Sequence, residues 1–156
     1  SLDAVSINPM LEQHPRDLKL IYVLETHVHT DHQSGAEKLA ETTGAQTAIG
    51  RGTGSTTAPV LLEEGQELSF GAFSIKALAT PGHTPGCMSF QLEGMLFCGD
   101  TLFIRSCGRT DFQQGNPRVL YQSIHEKIFR LPPETLVYPG HDYNGFMVST
   151  IGEELR

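Results

Sequence analysis

The sequence lacks several features that would assign it to a broad functional class. Its 156 residues carry a formal net charge of −7 and contain no run of lysine or arginine, so no basic patch is available for nucleic-acid phosphates. No apolar stretch approaches the roughly 20 residues of a membrane span, and no signal peptide is visible. Cys87, Cys98 and Cys107 are odd in number and form no CxxC pair, which favours a reducing compartment over a disulfide framework. We therefore expect small-molecule partners, no nucleic acid, no membrane, and a bacterial cytoplasmic location.

Length and composition predict one small α/β domain, residues 1–156, that can bury a reasonable core. A hydrophobic content of 38% and 16 glycines are typical of a loop-rich α/β protein. The apolar run Ile21–Leu24 predicts a strand that is buried on both faces, and Ser34–Glu37 has the pattern of a helix-starting capping box. The patterns predict strands at 4–7, 21–24, 47–50, 68–70, 73–77, 88–92, 95–98 and 136–138, and helices at 15–20, 34–43, 116–129 and from 150 onward.

Five of the seven histidines fall in short clusters, each placed just after a predicted strand. The clusters, one of which holds an aspartate in place of histidine, are His27-Val28-His29-Thr30-Asp31-His32, Pro81-Gly82-His83-Thr84-Pro85-Gly86, Cys98-Gly99-Asp100 and Pro139-Gly140-His141-Asp142. Imidazole nitrogen and carboxylate oxygen are the usual ligands of zinc and non-heme iron. A single histidine of this kind is more simply explained as a surface turn or cap, but the whole set favours a metal site.

The first cluster places four candidate ligands within six residues. Alternate side chains of a loop can point the same way, so His27 and His29 are able to share one metal, leaving Asp31 and His32 for a second. Asp100 has a short carboxylate, able to bind one ion terminally or to bridge two. Because loops carried by a rigid sheet can bring distant parts of a chain together, we expect these clusters to converge.

The motif order HVHTDH, GH, GD, GH resembles that of the metallo-β-lactamase superfamily. The resemblance implies a four-layer αββα sandwich with two facing sheets, in a superfamily that includes β-lactamases, thioesterases such as glyoxalase II, nucleases and dioxygenases. Compared with the family pattern, the chain lacks the opening strands and the end of the C-terminal helix region. We therefore expect a truncated sandwich and an incomplete domain.

A narrower set of segments resembles the persulfide dioxygenase family. These segments are IRSCGRTDFQQG at 104–115, HEKIF at 125–129 and YPGHDY at 138–143. The resemblance implies an Fe(II) enzyme with one iron per chain that oxidises glutathione persulfide with O2 to sulfite and glutathione. The implied iron ligands are His27, His83 and Asp100, a two-histidine, one-carboxylate set that leaves three coordination positions open. His29, Asp31, His32 and His141 then either support these ligands or mark a second metal position.

The same resemblance implies roles for four further side chains. Arg109 would grip an anionic group of the substrate, Asp142 and Tyr143 would line the iron site, and Cys107 would lie near the substrate. Other interpretations remain open: an ion pair between Arg109 and Asp111, a small buried apolar role for Cys107, and a core position for Tyr143.

Two other functions are compatible with the same clusters. The first is a glyoxalase-II-type thioesterase with two Zn(II) ions per chain, because all seven ligands of such a site are present. The second is a non-enzymatic domain that binds a sulfur species as a sensor. A homodimer is also expected, since most homo-oligomers are symmetric dimers.

Overall fold

The computed structural model describes residues 18–29 and 34–156, and nine strands in these ranges form two sheets. The first sheet is parallel, in the order β1-β2-β3, and its strands are β1 (Tyr22–Leu24), β2 (Gln46–Gly50) and β3 (Val60–Leu62). The second sheet runs in chain order from β4 to β9 and is antiparallel except between β7 and β8. Its strands are β4 (Glu67–Phe70), β5 (Phe73–Ala79), β6 (Met88–Leu92), β7 (Met95–Gly99), β8 (Leu136–Pro139) and β9 (Ser149–Thr150).

Three α-helices in the described ranges accompany the sheets: α1 (Ala36–Thr43), α2 (Pro117–Glu126) and α3 (Ile151–Glu154). Helices α1 and α2 lie in the crossovers β1–β2 and β7–β8, where parallel strands need a long connection. Asn116 caps α2 by accepting hydrogen bonds from two backbone amides with its side-chain oxygen, as Asn-Pro at a helix start predicts. No helix in the described part of the chain is long and apolar enough to cross a membrane.

The core has two parts, one on each face of the second sheet. Alternation along β5 places Ile75 and Ala77 against the first sheet, where they pack with Ala48 and Leu62. Leu78 belongs to the other part, in which β7 and β8 pack against α2 and α3. Helix α1 buries Ala36 and Leu39 beside the first sheet. The αββα sandwich expected from the sequence is confirmed.

The structure corrects two local predictions. Strand β1 was expected to be buried on both faces, but its three residues are only half-buried, and among the described residues it pairs with β2 alone. Ser34 was expected to be the N-cap of α1, but the N-cap is Gly35, and Ser34 Oγ accepts from the amide of Ala36 at 3.0 Å. Strands β3 and β9 were not predicted. The strand predicted at 4–7 and the first half of the helix predicted at 15–20 lie outside the described residues. Residues 18–20 are described and are not helical, so the helix prediction is wrong there.

Candidate metal centre

The described residues of all four clusters follow the C-terminal ends of strands, and the sheets bring these strand ends close together. His27 and His29 follow β1, His83 follows β5, and Asp100 comes directly after β7. His141 follows β8. Since β5, β7 and β8 run in the same direction within one sheet, their carboxyl ends share one edge, and the convergence expected from the sequence takes place there.

Asp100 lies at the centre of the group. Its Oδ2 is 3.7 Å from Nε2 of His27, 3.7 Å from Nε2 of His83 and 3.3 Å from Nε2 of His141. One ligand atom each from His27, His29, His83 and Asp100 lies within 4.8 Å of all the others. Ligand atoms this close to one another can bind a single ion, because zinc and iron bonds to N and O are about 2.0–2.2 Å long.

Hydrogen bonds at the far side of two imidazole rings determine which nitrogen faces the group. His83 Nδ1 donates to the carbonyl oxygen of Arg109 at 2.7 Å, and His29 Nδ1 donates to the side-chain oxygen of Gln113. A neutral imidazole that donates from Nδ1 carries its lone pair on Nε2. The Nε2 atoms of His29 and His83 lie 3.2 Å apart. When both rings are neutral these atoms face each other as two lone pairs, an arrangement that a cation stabilises.

Burial and charge also fit a metal ion. Asp100 is 5% exposed, and within the part of the chain that the structure describes its Oδ1 is buried without a hydrogen-bond partner, which is costly unless another group binds that oxygen. Burial lowers the pKa of His27 to about 4, although Asp100 opposes the shift, and the nearby His83 and His29 lower it further. His27 is therefore neutral near pH 7, so a metal ion need not displace a proton from it. The nitrogen and oxygen donors suit Zn(II) or Fe(II).

Buried hydroxyl groups hold two of the ligand-bearing loops together. Thr80 Oγ1 is 2.8 Å from Ser89 Oγ and 3.0 Å from Thr101 Oγ1, and all three residues are fully buried. Thr80 begins the loop that carries His83, and Thr101 follows Asp100. This network was not predicted, although the sequence has a threonine beside each of two clusters.

Two glycines beside the ligands are required by close packing. Gly99 has φ +53°, and a Cβ there would lie 2.4 Å from Thr26 Oγ1. A Cβ on Gly140 would lie 2.4 Å from Asp100 Oδ1. Both glycines stand directly beside a candidate ligand in the sequence clusters, and the structure shows why a larger residue would displace the site.

The metal-ligand group opens into a cleft of about 660 Å³. Arg109, Cys107 and Tyr143 all line this cleft. The family resemblance implied substrate contacts for Arg109 and Cys107 and a place at the iron site for Tyr143. Cys107 is exposed and Tyr143 is 72% exposed, so the alternatives of a buried thiol and a core tyrosine are wrong. Phe103, which the sequence analysis missed, completes an aromatic wall with its ring 6.0 Å from that of His141 and 5.5 Å from that of Tyr143.

Arg109 and Asp142 each have a partner other than the metal-ligand group. Arg109 forms a bidentate pair with Asp111 at 2.8 and 3.0 Å, which is the ion pair that the sequence left open. Asp142 is not among the residues that line the cleft. Its Oδ1 accepts from three amides within 144–146, and these bonds hold the pKa of Asp142 below its usual range. Asp31 and His32 lie outside the described residues.

Residues 8–141 match the sequence profile of the metallo-beta-lactamase superfamily. The chain belongs to this superfamily. Its superfamily relatives include the human mitochondrial persulfide dioxygenase ETHE1 (Homo sapiens), which is 48% identical over 99% of this chain and 65% of its own length. The crystal structure of ETHE1 from Myxococcus xanthus superposes with a TM-score of 0.89 at 42% identity, over 99% of this chain and 68% of that one. A hydroxyacylglutathione hydrolase from Brucella anthropi is 38% identical over 90% of this chain and 54% of its own length.

These relatives confirm the sequence resemblance to the persulfide dioxygenase family. The chain spans about two thirds of the length of the human protein that it matches.

Proposed function

We propose that this chain is a non-heme Fe(II) persulfide dioxygenase. The reaction would be GSSH + O2 + H2O → GSH + SO3²⁻ + 2H⁺, with glutathione persulfide as the substrate. The observation that carries the proposal is the group of His27, His83 and Asp100, in a chain 48% identical to a protein named persulfide dioxygenase.

His27, His83 and Asp100 would hold one iron, and iron would supply the one-electron chemistry that lets triplet O2 react with closed-shell sulfur. Asp100 would contribute the charge of the set, and its burial keeps water from competing for the carboxylate. The hydrogen bond from His83 to the Arg109 carbonyl orients the His83 ring. When protonated, His141 can donate to Asp100 Oδ2 across their 3.3 Å separation and so orient the carboxylate from the cleft side.

Arg109 is the proposed contact for a carboxylate of the glutathione moiety. Its partner Asp111 is exposed, as Arg109 is, and exposed ion pairs contribute only about 0–1 kcal/mol. A substrate carboxylate can therefore replace Asp111 at low cost and take over the bidentate geometry. Because Arg109 is also the residue whose carbonyl receives the His83 hydrogen bond, the substrate contact and a ligand contact lie on one short segment.

Tyr143 and Cys107 would contact the substrate from the cleft walls. The ring of Tyr143 lies 5.7 Å from that of His141, so an aromatic surface would flank the bound persulfide. We propose that Asp142 acts indirectly, by holding the loop that presents Tyr143. We also propose that residues 1–156 belong to a single domain and that the protein forms a homodimer in a bacterial cytoplasm.

A dinuclear zinc thioesterase is the second candidate. The 38% identity to a hydroxyacylglutathione hydrolase favours it, as does His141, which lies close enough to Asp100 to belong to a second metal position. Asp31 and His32 would complete that position, with two Zn(II) ions per chain.

Parallel assays distinguish the two functions. Fe(II)-loaded and Zn(II)-loaded protein would each be given glutathione persulfide with O2 and, separately, a glutathione thioester. We expect O2 consumption by the iron form only, and loss of both iron and turnover in Asp100→Ala. Thioester hydrolysis by the zinc form without persulfide oxidation by the iron form would establish the thioesterase. If the protein binds persulfide but catalyses neither reaction, the result would favour the non-enzymatic sensor function.

A further inference from the structure

The segment 109–116 is attached at both ends to the loop that carries His83. At one end His83 Nδ1 donates to the carbonyl oxygen of Arg109 at 2.7 Å, and at the other the Asn116 amide donates to the carbonyl oxygen of Gly82 at 2.8 Å. Gly82 itself lies against α2, where a Cβ would come within 2.3 Å of the Leu120 Cα. The position of this segment is therefore set by the His83 loop and the helix behind it.

The middle of the segment has a strained backbone. Gln113 and Gln114 have φ values of 47° and 60°, which is the left-handed region that costs a non-glycine residue about 1–2 kcal/mol. Glycine would adopt this conformation without strain, yet two consecutive glutamines occupy it. Strain of this kind persists where the surrounding structure imposes it, and it is found most often at functional sites.

The strained backbone carries a side chain, that of Gln113, which contacts the metal-ligand group. Its Oε1 accepts the hydrogen bond from His29 Nδ1, so that one short segment contacts both His83, through its backbone, and His29, through a side chain. His29 and His83 belong to the same metal-ligand group, with their Nε2 atoms 3.2 Å apart. The segment thus contacts the Nδ1 side of both rings.

We propose that Gln113 is a positioning residue of the metal centre. The strained segment holds its carboxamide oxygen against His29 Nδ1, which keeps the proton on Nδ1 and directs the Nε2 lone pair into the group. A carboxamide fixes the tautomer without adding a charge, whereas a carboxylate here would add a negative charge beside the centre. The inference rests on the proposed metal centre, but it does not depend on the reaction that the metal supports.

Gln114 provides a matched control on the same segment. It shares the left-handed backbone of Gln113, and both residues line a separate cleft of about 780 Å³ next to Thr53 and Ser55. The hydrogen bond from His29 is made to Gln113. Substitution of Gln114 therefore changes the strain of the segment in a similar way, without removing the carboxamide that contacts His29.

The test measures the tautomer of His29 and the affinity of the centre for Zn(II). Protein labelled with ¹⁵N in its histidines would be studied by NMR without metal, as wild type, Gln113→Ala, Gln113→Met and Gln114→Ala. Zn(II) affinity would be measured by competition with a chromophoric chelator. We expect the Nδ1–H tautomer in wild type and Gln114→Ala, and mixed tautomers in both Gln113 variants with about 10- to 100-fold weaker Zn(II) binding.

Two outcomes would overturn the inference. One is an Nε2–H tautomer of His29 in the wild type. The other is a Gln113→Met variant in which the His29 tautomer and the Zn(II) affinity equal those of Gln114→Ala. Methionine is nearly the same size as glutamine, so this variant removes the carboxamide with little change in volume. Thermal unfolding would identify a variant that does not fold, and Gln113→Met then decides in place of Gln113→Ala. If the wild type keeps the Nδ1–H tautomer but oxidises no persulfide, the proposed reaction fails while the positioning role stands.

Discussion

Gly140→Ala is expected to weaken metal binding without unfolding the protein. An alanine Cβ at this position would lie 2.4 Å from Asp100 Oδ1 and 3.1 Å from the Gly99 carbonyl carbon. Ordinary contacts of this kind begin near 3.4 Å, so the carboxylate has to retreat by about 1 Å. The backbone cannot easily take up the shift, because the Gly140 amide donates to the Gly99 carbonyl at 2.8 Å.

The size of the effect follows from the tolerance of metal coordination. Metal–ligand distances in working sites stay within about 0.2 Å of their preferred values, and the expected displacement is several times larger. Disturbing the groups that orient a ligand weakens binding by about 10- to 100-fold, which corresponds to about 1.4–2.8 kcal/mol. Since Asp100 supplies the only carboxylate of the proposed iron set, we expect the upper part of this range.

Gly94→Ala is the matched control for this change. Gly94 lies in the β6–β7 turn, has no left-handed φ and has open space where a Cβ would be placed. Fe(II) and Zn(II) affinities of both variants would be measured anaerobically by chelator competition, alongside thermal unfolding of the metal-free proteins. Equal affinities in Gly140→Ala and Gly94→Ala would refute the claim that a Cβ at position 140 displaces the Asp100 carboxylate from the centre.

Three further predictions concern the cleft, the 142–146 loop and the buried hydroxyls. Arg109→Ala should raise KM for glutathione persulfide about tenfold with little change in kcat, because a ground-state contact is lost. Asp111→Ala should not raise KM, and an unchanged KM in Arg109→Ala would show that Arg109 has only a structural role. The pKa of Asp142 is lowered by backbone amides, so the loop is fully stabilised above pH 4 and loses that contribution as pH falls through the folded-state pKa; an NMR titration midpoint at or above about 3.9 would contradict this. Thr80→Val should lower the free energy of unfolding of the metal-free protein by about 1–3 kcal/mol, since the buried hydroxyls of Ser89 and Thr101 each lose a partner. An unchanged midpoint of urea unfolding would show that these hydroxyl contacts do not stabilise the protein.

Much of the site could be predicted because its residues follow strands. The C-terminal ends of β5, β7 and β8 share one edge for reasons of topology, so a histidine or aspartate at each end necessarily comes close to the others. The glycines beside the ligands were predictable for a similar reason, since small residues permit close approach. The pairing of His27 with His29 in one group follows from alternate side chains of a loop.

The features that the sequence did not predict depend on contacts across the chain. Gln113 lies 84 residues from His29, and neither composition nor periodicity links two such positions. Asp142 stands beside His141 in the sequence, but its carboxylate turns to the amides of its own loop instead of facing the cleft. The exposure of β1 was wrongly predicted because an apolar run indicates a strand but not how many neighbours cover it.

The central claim is that the His27, His83 and Asp100 group holds one redox-active iron that serves persulfide oxidation. The most direct test is elemental analysis of protein purified without chelator, with O2 uptake measured in the same sample on addition of glutathione persulfide. We predict about one iron per chain and persulfide-dependent O2 consumption with sulfite formed in equal amount. About two zinc ions per chain, with no O2 uptake after reconstitution with Fe(II), would contradict the claim and favour the thioesterase.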